Sequence, residues 1–261
     1  MMKCKICGNT ATIFDVARVL EKYNISYFRC NTCGFVQTQD PFWLKEAYLE
    51  TINYSDIGLV SRNLTQVEFT REVISLFFNK RAQYLDYGGG YGLFVRLMRD
   101  TGYDFYLYEP NCANLFARTF DIRLPTNSKF HLLTAFEVFE HLVDPLAEIE
   151  QMLKISQNIF FSTTLLPNPV PKPSQWWYYG LDHGQHVSFF SKASLSHLAS
   201  RLGVRFYSSN NNYHLLTPKK ISPNIFTLVV RFKIARLINQ FTRQPSLLSS
   251  DYFKVVGRPL K

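Results

Sequence analysis

Acidic residues are scarce in the C-terminal part of this 261-residue sequence. Residues 151–261 contain 14 lysines and arginines but only Asp182 and Asp251, whereas residues 1–150 contain 15 basic and 18 acidic residues. The net charge of +9 therefore arises in the C-terminal part, where residues 219–261 alone hold nine cations and one acid. Such a segment could face nucleic acid, an anionic membrane or a phosphorylated substrate, or could simply be a solvated tail.

Long hydrophobic runs are also lacking. A membrane-spanning helix needs about 20 apolar residues, but the best candidate, residues 221–230, contains Pro223 and is followed by Arg231. The first residues have no apolar segment of the kind found in export signals, so we expect a cytoplasmic protein. With 46% apolar and only 19% charged residues, the composition excludes a disordered chain and a highly charged coiled coil, and it predicts a globular fold.

Four of the five cysteines form two Cys-x2-Cys pairs, which are separated by 22 residues. In a cytosolic chain this spacing predicts a Cys4 site for structural zinc, because each pair offers two thiolates on a tight turn. Disulfides or unmetallated thiols are the alternative. Four ligands leave the ion no open position for catalysis, so we expect its role to be structural. The segment that it would hold together is predicted to be a small zinc ribbon over residues 1–41. The predicted ligands are Cys4, Cys7, Cys30 and Cys33.

A glycine-rich turn marks the start of the main domain. Residues 82–87 predict a strand, residues 88–92 read Gly-Gly-Gly-Tyr-Gly, and an amphipathic helix is predicted to follow. Strand, glycine turn and helix form the nucleotide site of doubly wound sheets, because the ligand can approach the main chain and the free amides of the helix. A dinucleotide fingerprint would need glycine in place of Leu93; here Asp86 precedes the first glycine by two residues. Glu109, which ends the next predicted strand, is placed either to accept both ribose hydroxyls or merely to cap the following helix.

These segments resemble the class I S-adenosylmethionine-dependent methyltransferases. The resemblance rests on residues 85–92, on Glu109 and on residues 132–145, which are similar to the fourth strand and Glu-His motif of that superfamily. It implies an α/β fold over about residues 81–218, with a doubly wound, Rossmann-like sheet that is mostly parallel and has an antiparallel last strand. It also implies S-adenosylmethionine as the cofactor. The cofactor-binding residues that it implies are Asp86, Gly88, Gly90, Gly92, Glu109, Phe136 and Glu137.

The cysteine segment is similar to one branch of this superfamily. Methyltransferases of deoxysugar and polysaccharide biosynthesis carry a Cys4 zinc-binding segment, in which the second pair also runs into an apolar-Gln pair like Val36-Gln37. This similarity implies a small acceptor of the sugar or nucleotide-sugar type, methylated at oxygen or carbon.

An insertion at residues 165–190 follows the fifth predicted strand, at the edge where doubly wound folds place substrate. Its aromatic run, residues 176–179, can wall a pocket or simply pack in a core. Residues 186–191 resemble a segment of deoxysugar C-methyltransferases in which a histidine serves in acid-base chemistry.

That last resemblance implies roles for three side chains. His186 is expected to be the general base or a proton relay, since a histidine near its ordinary pKa suits proton removal. His183 and Tyr179 are expected to shape its surroundings. For His141 the wider superfamily resemblance implies a place in the wall of the cofactor or acceptor pocket, with a structural histidine as the alternative.

The remaining segments flank the main domain. Residues 42–80 are predicted to form a helical bridge, and residues 122–124 a short third strand. Residues 219–261 predict a basic amphipathic tail, in which apolar residues alternate with Arg231, Lys233, Arg236 and Arg243. We expect weak, salt-dependent contact of this tail with an anionic membrane at its inner face, unless its apolar face packs on the main domain.

Two other functions stay open at this point. Zinc ribbons and basic tails also serve RNA methyltransferases, so nucleic acid is an alternative partner. The chain lacks an Asn/Asp-Pro-Pro-aromatic motif after the fourth strand, however, and has Ala135-Phe136-Glu137-Val138 there. A non-catalytic binding protein is the third hypothesis, and the retained Asp86, glycines and Glu109 argue against it.

Overall fold

The computed structural model describes residues 1–49, 56–125, 128–209, 212–232 and 244–260, and the strands within them form two β-sheets. The strands are β1 (Met2–Lys3), β2 (Thr10–Val19), β3 (Tyr23–Cys30), β4 (Val36–Thr38), β5 (Gln83–Tyr87), β6 (Asp104–Tyr108), β7 (Leu132–Phe136), β8 (Ile159–Ser162), β9 (Ser188–Phe189), β10 (Arg205–Ser209) and β11 (Tyr213–Thr217). The helices are α1 (Leu44–Ala47), α2 (Leu59–Phe77), α3 (Leu93–Asp100), α4 (Pro145–Ile155), α5 (Lys192–Arg201), α6 (Pro223–Phe232) and α7 (Leu248–Val256).

The main sheet has the strand order β10-β11-β8-β7-β5-β6. Strands β8, β7, β5 and β6 are parallel, whereas β11 runs antiparallel to both of its neighbours. This confirms the predicted α/β sheet, which is mostly parallel with an antiparallel last strand. Because side chains of a strand alternate between faces, Leu132 packs in one buried cluster with α2, α3 and α6, and Leu133 in another with α4 and α5.

The N-terminal sheet is antiparallel and has the order β1-β2-β3-β4-β9. Strand β2 was not predicted, although residues 10–19 are rich in β-branched side chains. The last strand, β9, belongs to the insertion at residues 165–190: Val36 pairs with Phe189, and Gln37 with Ser188. The cysteine-bearing segment is therefore joined by main-chain pairing to the segment that directly follows His186.

The prediction of a third strand at residues 122–124 was wrong. In the described part of this segment the chain forms one parallel bridge, between Leu107 and Asp121. The amide of Leu107 donates to Phe120 and its carbonyl accepts from Ile122, at 2.7 and 2.8 Å, before the chain leaves β6. Pro125 follows closely and has no amide proton with which to extend a ladder.

The helical bridge is present in part. Helices α1 and α2 lie within residues 42–80, and residues 50–55 between them are outside the described residues.

The basic tail packs on the main domain where it is described. Phe226 of α6 is fully buried, with its ring centroid 6.2 Å from that of Tyr207. Helix α7 is held to α3 by Asp251, whose carboxylate pairs with Arg99 at 2.7 Å and Arg96 at 2.9 Å. Lys233, Arg236 and Arg243 lie outside the described residues, and no described helix is long and apolar enough to cross a membrane.

Candidate active site

The turn between β5 and α3 opens its main chain to a cavity of about 970 Å³. Gly88, Gly90 and Gly92 have φ angles of +71°, +55° and +82°, a region that residues with a side chain rarely adopt. Gly89 is required for space, because a Cβ atom there would lie 2.1 Å from Oδ2 of Asp86. Gly88, Gly89 and Gly90 line the cavity, so a ligand can approach their backbone directly.

Glu109 lies just beyond the end of β6, as predicted, and lines the same cavity. Its Oε2 accepts a hydrogen bond from the Gly90 amide at 3.1 Å, and its Oε1 accepts one from the Asn111 amide at 2.6 Å. These bonds fix the carboxylate beside the glycine turn. Each oxygen keeps acceptor capacity for a ligand hydroxyl.

Asp86 lies at the buried end of the site. Its side chain is 2% exposed, and its Oδ1 accepts a hydrogen bond from the Thr134 hydroxyl at 2.6 Å. Burial raises the pKa of Asp86 to about 7, because desolvation disfavours the charged carboxylate. A carboxyl group with this pKa is partly protonated at neutral pH.

Phe136 and Glu137 line the cavity at the end of β7. The Phe136 ring packs edge-on against Phe94, with 5.1 Å between centroids. Glu137 has a φ angle of +55°, and its amide donates to the Ser162 hydroxyl at 2.9 Å. The structure thus brings six of the seven predicted cofactor-binding residues to one cavity. The seventh, Gly92, caps the start of α3 and does not line it.

Three histidines line the cavity together: His141, His183 and His186. The ring centroid of His186 lies 4.9 Å from that of His141 and 4.8 Å from that of His183. Nδ1 of His186 donates to the carbonyl of Tyr178 at 2.6 Å, since a carbonyl can only accept. Nε2 of a neutral His186 is therefore the nitrogen that carries the lone pair.

The histidine cluster is uncharged at neutral pH. Burial lowers the pKa of His141 to about 4, and the proximity of His183 adds to the shift. Burial also lowers the pKa of His186 far below its ordinary value, and the pKa of His183 to a smaller extent. The expectation that His186 has a pKa near the ordinary value was therefore wrong: a neutral imidazole has the lone pair that a base needs, but the lowered pKa makes it a weaker base.

Tyr179 occupies a different place from the one expected. Its hydroxyl donates to the carbonyl of Pro171 at 3.1 Å, its ring is 1% exposed, and it does not line the cavity. The geometry gives it a packing role in the core of the N-terminal sheet. The neighbouring Tyr178 is the aromatic residue that contacts His186, with 4.9 Å between ring centroids.

Glu140 belongs to the site but was not among the predicted site residues. Its side chain is fully buried, and neither carboxylate oxygen has a well-formed hydrogen bond within the described part of the chain, where the hydroxyls of Tyr178 and Thr163 are its polar neighbours. Burial raises the pKa of Glu140 to about 8, and repulsion from Glu137 adds to the shift. A sequence signal existed, because a glutamate next to a histidine interrupts the otherwise apolar residues 138–142.

The rest of the cavity wall comes from several parts of the chain. The insertion contributes Trp176 and Trp177, of which Trp177 is 78% exposed. Helix α2 contributes Asn63 and Gln66, and Tyr48 follows α1. The cavity thus runs from the glycine turn to the histidine cluster and the aromatic insertion.

This cavity fits S-adenosylmethionine. The Glu109 carboxylate is held where a ribose diol can donate to it, and the glycine turn admits a ligand to its backbone. The volume of about 970 Å³ leaves room for an acceptor beside the cofactor.

The four predicted zinc ligands also lie together. All four Sγ atoms are within 4.8 Å of one another, with 3.6 Å between Cys4 and Cys33 and 3.4 Å between Cys7 and Cys30. Sulfur ligands about 2.3 Å from a tetrahedral zinc would be about 3.8 Å apart, so the arrangement fits that ion. Cys112 lies outside the cluster.

Similar solved structures are methyltransferases of low sequence identity. CalO1, a methyltransferase of calicheamicin biosynthesis solved with S-adenosylhomocysteine, is 13% identical, with a TM-score of 0.47 over 69% of this chain and 60% of that chain. An S-adenosylmethionine-dependent methyltransferase from Thermotoga maritima is 15% identical, with a TM-score of 0.47 over 68% of this chain and 99% of that one. The mitomycin 7-O-methyltransferase MmcR is 13% identical, with a TM-score of 0.42 over 67% of this chain and 59% of that one.

A comparison with individual curated proteins finds no match. The sequence does match a model of a protein family. The family described as "Methyltransferase domain" matches residues 62–208, which is more than half of the chain. The matched segment contains the glycine turn, Glu109, the Glu140-His141 pair and His186. The chain therefore belongs to the methyltransferase domain family.

Proposed function

We propose that this protein methylates a hydroxyl oxygen or an acidic carbon of a small acceptor of the sugar or nucleotide-sugar type. The observation that carries the proposal is the continuity of the cavity, which contains both the glycine turn with Glu109 and the histidine cluster. Methyl transfer is an in-line displacement, so the protein must align donor and acceptor within one enclosed space.

The cofactor end of the cavity has a binding role. When bound, S-adenosylmethionine supplies an electrophilic methyl group on a sulfonium centre. Glu109 would accept hydrogen bonds from the ribose hydroxyls, and Phe136 would wall the site at the end of β7. The buried Asp86 supports the turn from below, where its carboxylate lies against Gly89.

The histidine end has a proton-transfer role. Neutral His186 presents Nε2 as a proton acceptor, because Nδ1 is engaged by the Tyr178 carbonyl. We assign it the removal of the acceptor proton, with His183 as its neighbour and with Tyr178 in the supporting position.

The acceptor class is supported by the cavity mouth and by the N-terminal segment. Trp177 exposes an aromatic face at the mouth, and such faces stack well on sugar rings. The Cys4 segment with the following Val36-Gln37 pair is similar to the deoxysugar and polysaccharide branch. We further propose that the four clustered cysteines hold one structural zinc.

A labelling experiment tests this function. Purified protein and S-adenosylmethionine with a deuterated methyl group would be incubated with small-molecule extracts, nucleotide-sugars and total RNA in separate reactions. We expect mass spectrometry to find the label in a sugar-containing metabolite, and far less label in the same time when His186→Ala replaces the wild type. Label in the RNA reaction alone would instead support the RNA alternative.

A further inference from the structure

We propose that Glu140, His141 and His186 form a binding site for one divalent transition-metal ion at the wall of the cavity. The carboxylate of Glu140 and one ring nitrogen of each histidine lie within 4.8 Å of one another. This cluster is separate from the cysteine cluster. All three residues line the cavity, so an ion held there would face a bound acceptor.

The ligand set is chemically suited to such an ion. Two imidazoles and one carboxylate suit Mn²⁺, Fe²⁺, Co²⁺ and Zn²⁺ rather than the all-oxygen sites that Mg²⁺ and Ca²⁺ prefer. Ligands about 2.1 Å from an ion would be about 3.0–3.4 Å apart, so the side chains need to close by an ångström or two.

In both histidines the ring nitrogen Nδ1 contacts a polar group of the protein, as the non-ligating nitrogen of a metal-binding histidine usually does. A ligating histidine commonly donates its other N–H to a carbonyl or another polar group, which fixes its orientation. Nδ1 of His186 donates to the Tyr178 carbonyl at 2.6 Å, and Nδ1 of His141 is 2.8 Å from the Tyr48 hydroxyl. The contact of His186 leaves its Nε2 for an ion, whereas the His141 ring also has the Gln185 main chain as a polar partner, which an ion at its second nitrogen would have to displace. By contrast, buried His214 uses both nitrogens, on Ser208 and on the Thr163 carbonyl.

Glu140 supplies an independent reason to expect a ligand. A fully buried carboxyl group without a hydrogen bond is costly, and native structures rarely leave one without a cause. Its oxygens have no well-formed hydrogen bond in the described chain, where the hydroxyls of Tyr178 and Thr163 are its polar neighbours, and the residue lies against the two histidines. An ion would satisfy this carboxylate.

The site uses a residue that the proposed function also uses. Metal-loaded His186 cannot serve as the free base assigned above, so the metal-bound form and the proton-accepting form of this site exclude each other, and binding must be measured directly and not through turnover. A failure to bind metal would leave methyl transfer intact. A failure to bind S-adenosylhomocysteine would instead count against the proposed function.

The experiment is a titration of the full-length, zinc-loaded protein with Mn²⁺, followed by electron paramagnetic resonance. Mn²⁺ favours oxygen and nitrogen ligands and should leave thiolate-bound zinc in place. We expect one Mn²⁺ to bind per chain, with imidazole nitrogen couplings in the pulsed spectrum. Glu140→Gln should weaken binding at least tenfold, and Tyr48→Phe should weaken it to a smaller extent.

Two control variants separate these ligands from nearby and distant histidines. His183→Gln changes a neighbour outside the ligand set, and His197→Gln changes an exposed residue of α5; both should bind Mn²⁺ like the wild type. Retained binding of S-adenosylhomocysteine would show that each variant is folded. The proposal is overturned if the wild type binds no Mn²⁺ at millimolar concentration, if the bound ion shows no imidazole coupling, or if folded Glu140→Gln binds it normally.

Discussion

At the scale of single residues, burial decides the protonation of the ionisable groups in the cavity. It lowers the pKa of His141 to about 4 and raises the pKa values of Asp86 and Glu140 to about 7 and about 8. In each case desolvation disfavours the charged form. The cavity consequently carries less charge at neutral pH than its residue types suggest, and its imidazoles are neutral but weaker bases than an ordinary histidine.

Replacement of His186 by alanine should separate binding from chemistry. The variant should bind S-adenosylmethionine nearly normally but turn over about 10²–10⁴-fold more slowly, the usual range for lost acid-base assistance. Calorimetry and single-turnover rates with the acceptor measure the two effects. His197→Ala, in the exposed part of α5, serves as the control. Near-wild-type turnover in His186→Ala would move the proton-transfer role elsewhere.

The pH dependence of stability should change when Asp86 is replaced by asparagine. The pKa of Asp86 in the folded protein, about 7, is higher than its ordinary value of 3.8, so its ionisation favours unfolding. The free energy of unfolding of the wild type should therefore fall, through this group, as the pH rises between those two values. Asp86→Asn keeps an acceptor for the Thr134 hydroxyl. Asparagine does not ionise, so the free energy of unfolding of this variant should not decrease with pH through this position.

Urea unfolding at about pH 5 and about pH 8 measures the effect. The stability of Asp86→Asn relative to the wild type should increase with pH. A difference that is equal at both pH values would mean that Asp86 ionises normally.

The positions of site residues that lie close together in the sequence could be predicted. The positions that depend on contacts between distant parts of the chain could not. The glycines and Glu109 are separated by fewer than about 25 residues, and their roles follow from one strand-turn-helix unit. Tyr48 reaches His141 across 93 positions of the chain. No local sequence pattern predicts such a contact. The burial of Glu140 beside the two histidines could not be predicted from local sequence either.

At the scale of secondary-structure elements, two short connections position the site. The β5–α3 turn presents its main chain because glycines occupy the positions with positive φ. The two-residue strand β9 fixes the end of the insertion, where the amide of Val187 also donates to the Glu140 carbonyl at 2.9 Å. His186 directly precedes Val187, so its backbone position is fixed by the contact with Glu140 and by the pairing of β9 with β4.

Gly89→Ala should disrupt the cofactor site by crowding. A Cβ atom there would lie 2.1 Å from Oδ2 of Asp86 and 2.7 Å from Leu107, so the turn must shift. We expect a stability loss of about 1–3 kcal/mol, as for other overpacked sites, together with a clear loss of S-adenosylhomocysteine affinity. Thermal unfolding and calorimetry measure these.

Gly203→Ala is the matched control for that variant. A Cβ atom at Gly203 would meet no atom within 4 Å, so only its positive φ angle is strained. This variant should lose some stability but bind the cofactor normally. Equal affinity in Gly89→Ala and the wild type would contradict the account of the turn.

The strands with a clear hydrophobic pattern were predicted, whereas β9 was not. Strands β7 and β8 lie in the centre of the main sheet and read as apolar runs. A strand of two residues, Ser188 and Phe189, has no period to detect. Its pairing with β4 depends on tertiary structure that the sequence does not display locally.

At the scale of the whole molecule, the N-terminal sheet and the methyltransferase fold share a structural unit. The Ser191 hydroxyl donates to the Cys33 carbonyl at 2.7 Å, and Arg201 donates to the carbonyl of Ile6 at 2.6 Å. Together with the β4–β9 pairing, these bonds link the cysteine cluster to α5 and to the segment that carries His186. Damage to the cysteine cluster should therefore reach the acceptor end of the cavity.

Loss of the proposed zinc should reduce turnover more than cofactor binding. Elemental analysis of protein purified without chelators should find one zinc per chain. Cys30→Ser removes a fully buried ligand and should lower the zinc content, the melting temperature and the turnover rate. Affinity for S-adenosylhomocysteine should change less, because the glycine turn follows β5 of the main sheet, whereas the cysteines belong to the N-terminal sheet. Cys112→Ser is the control, and well under one zinc per chain in the wild type would remove the claim.

The central claim is that the cavity beside the glycine turn binds S-adenosylmethionine through Glu109. Calorimetric titration of S-adenosylhomocysteine into the wild type and into Glu109→Ala tests it most directly. The account predicts one binding site per chain in the wild type and a loss of about 1.5–3 kcal/mol in the variant, as expected for hydrogen bonds to a charged group. Equal affinity in the two proteins would show that the cofactor binds elsewhere.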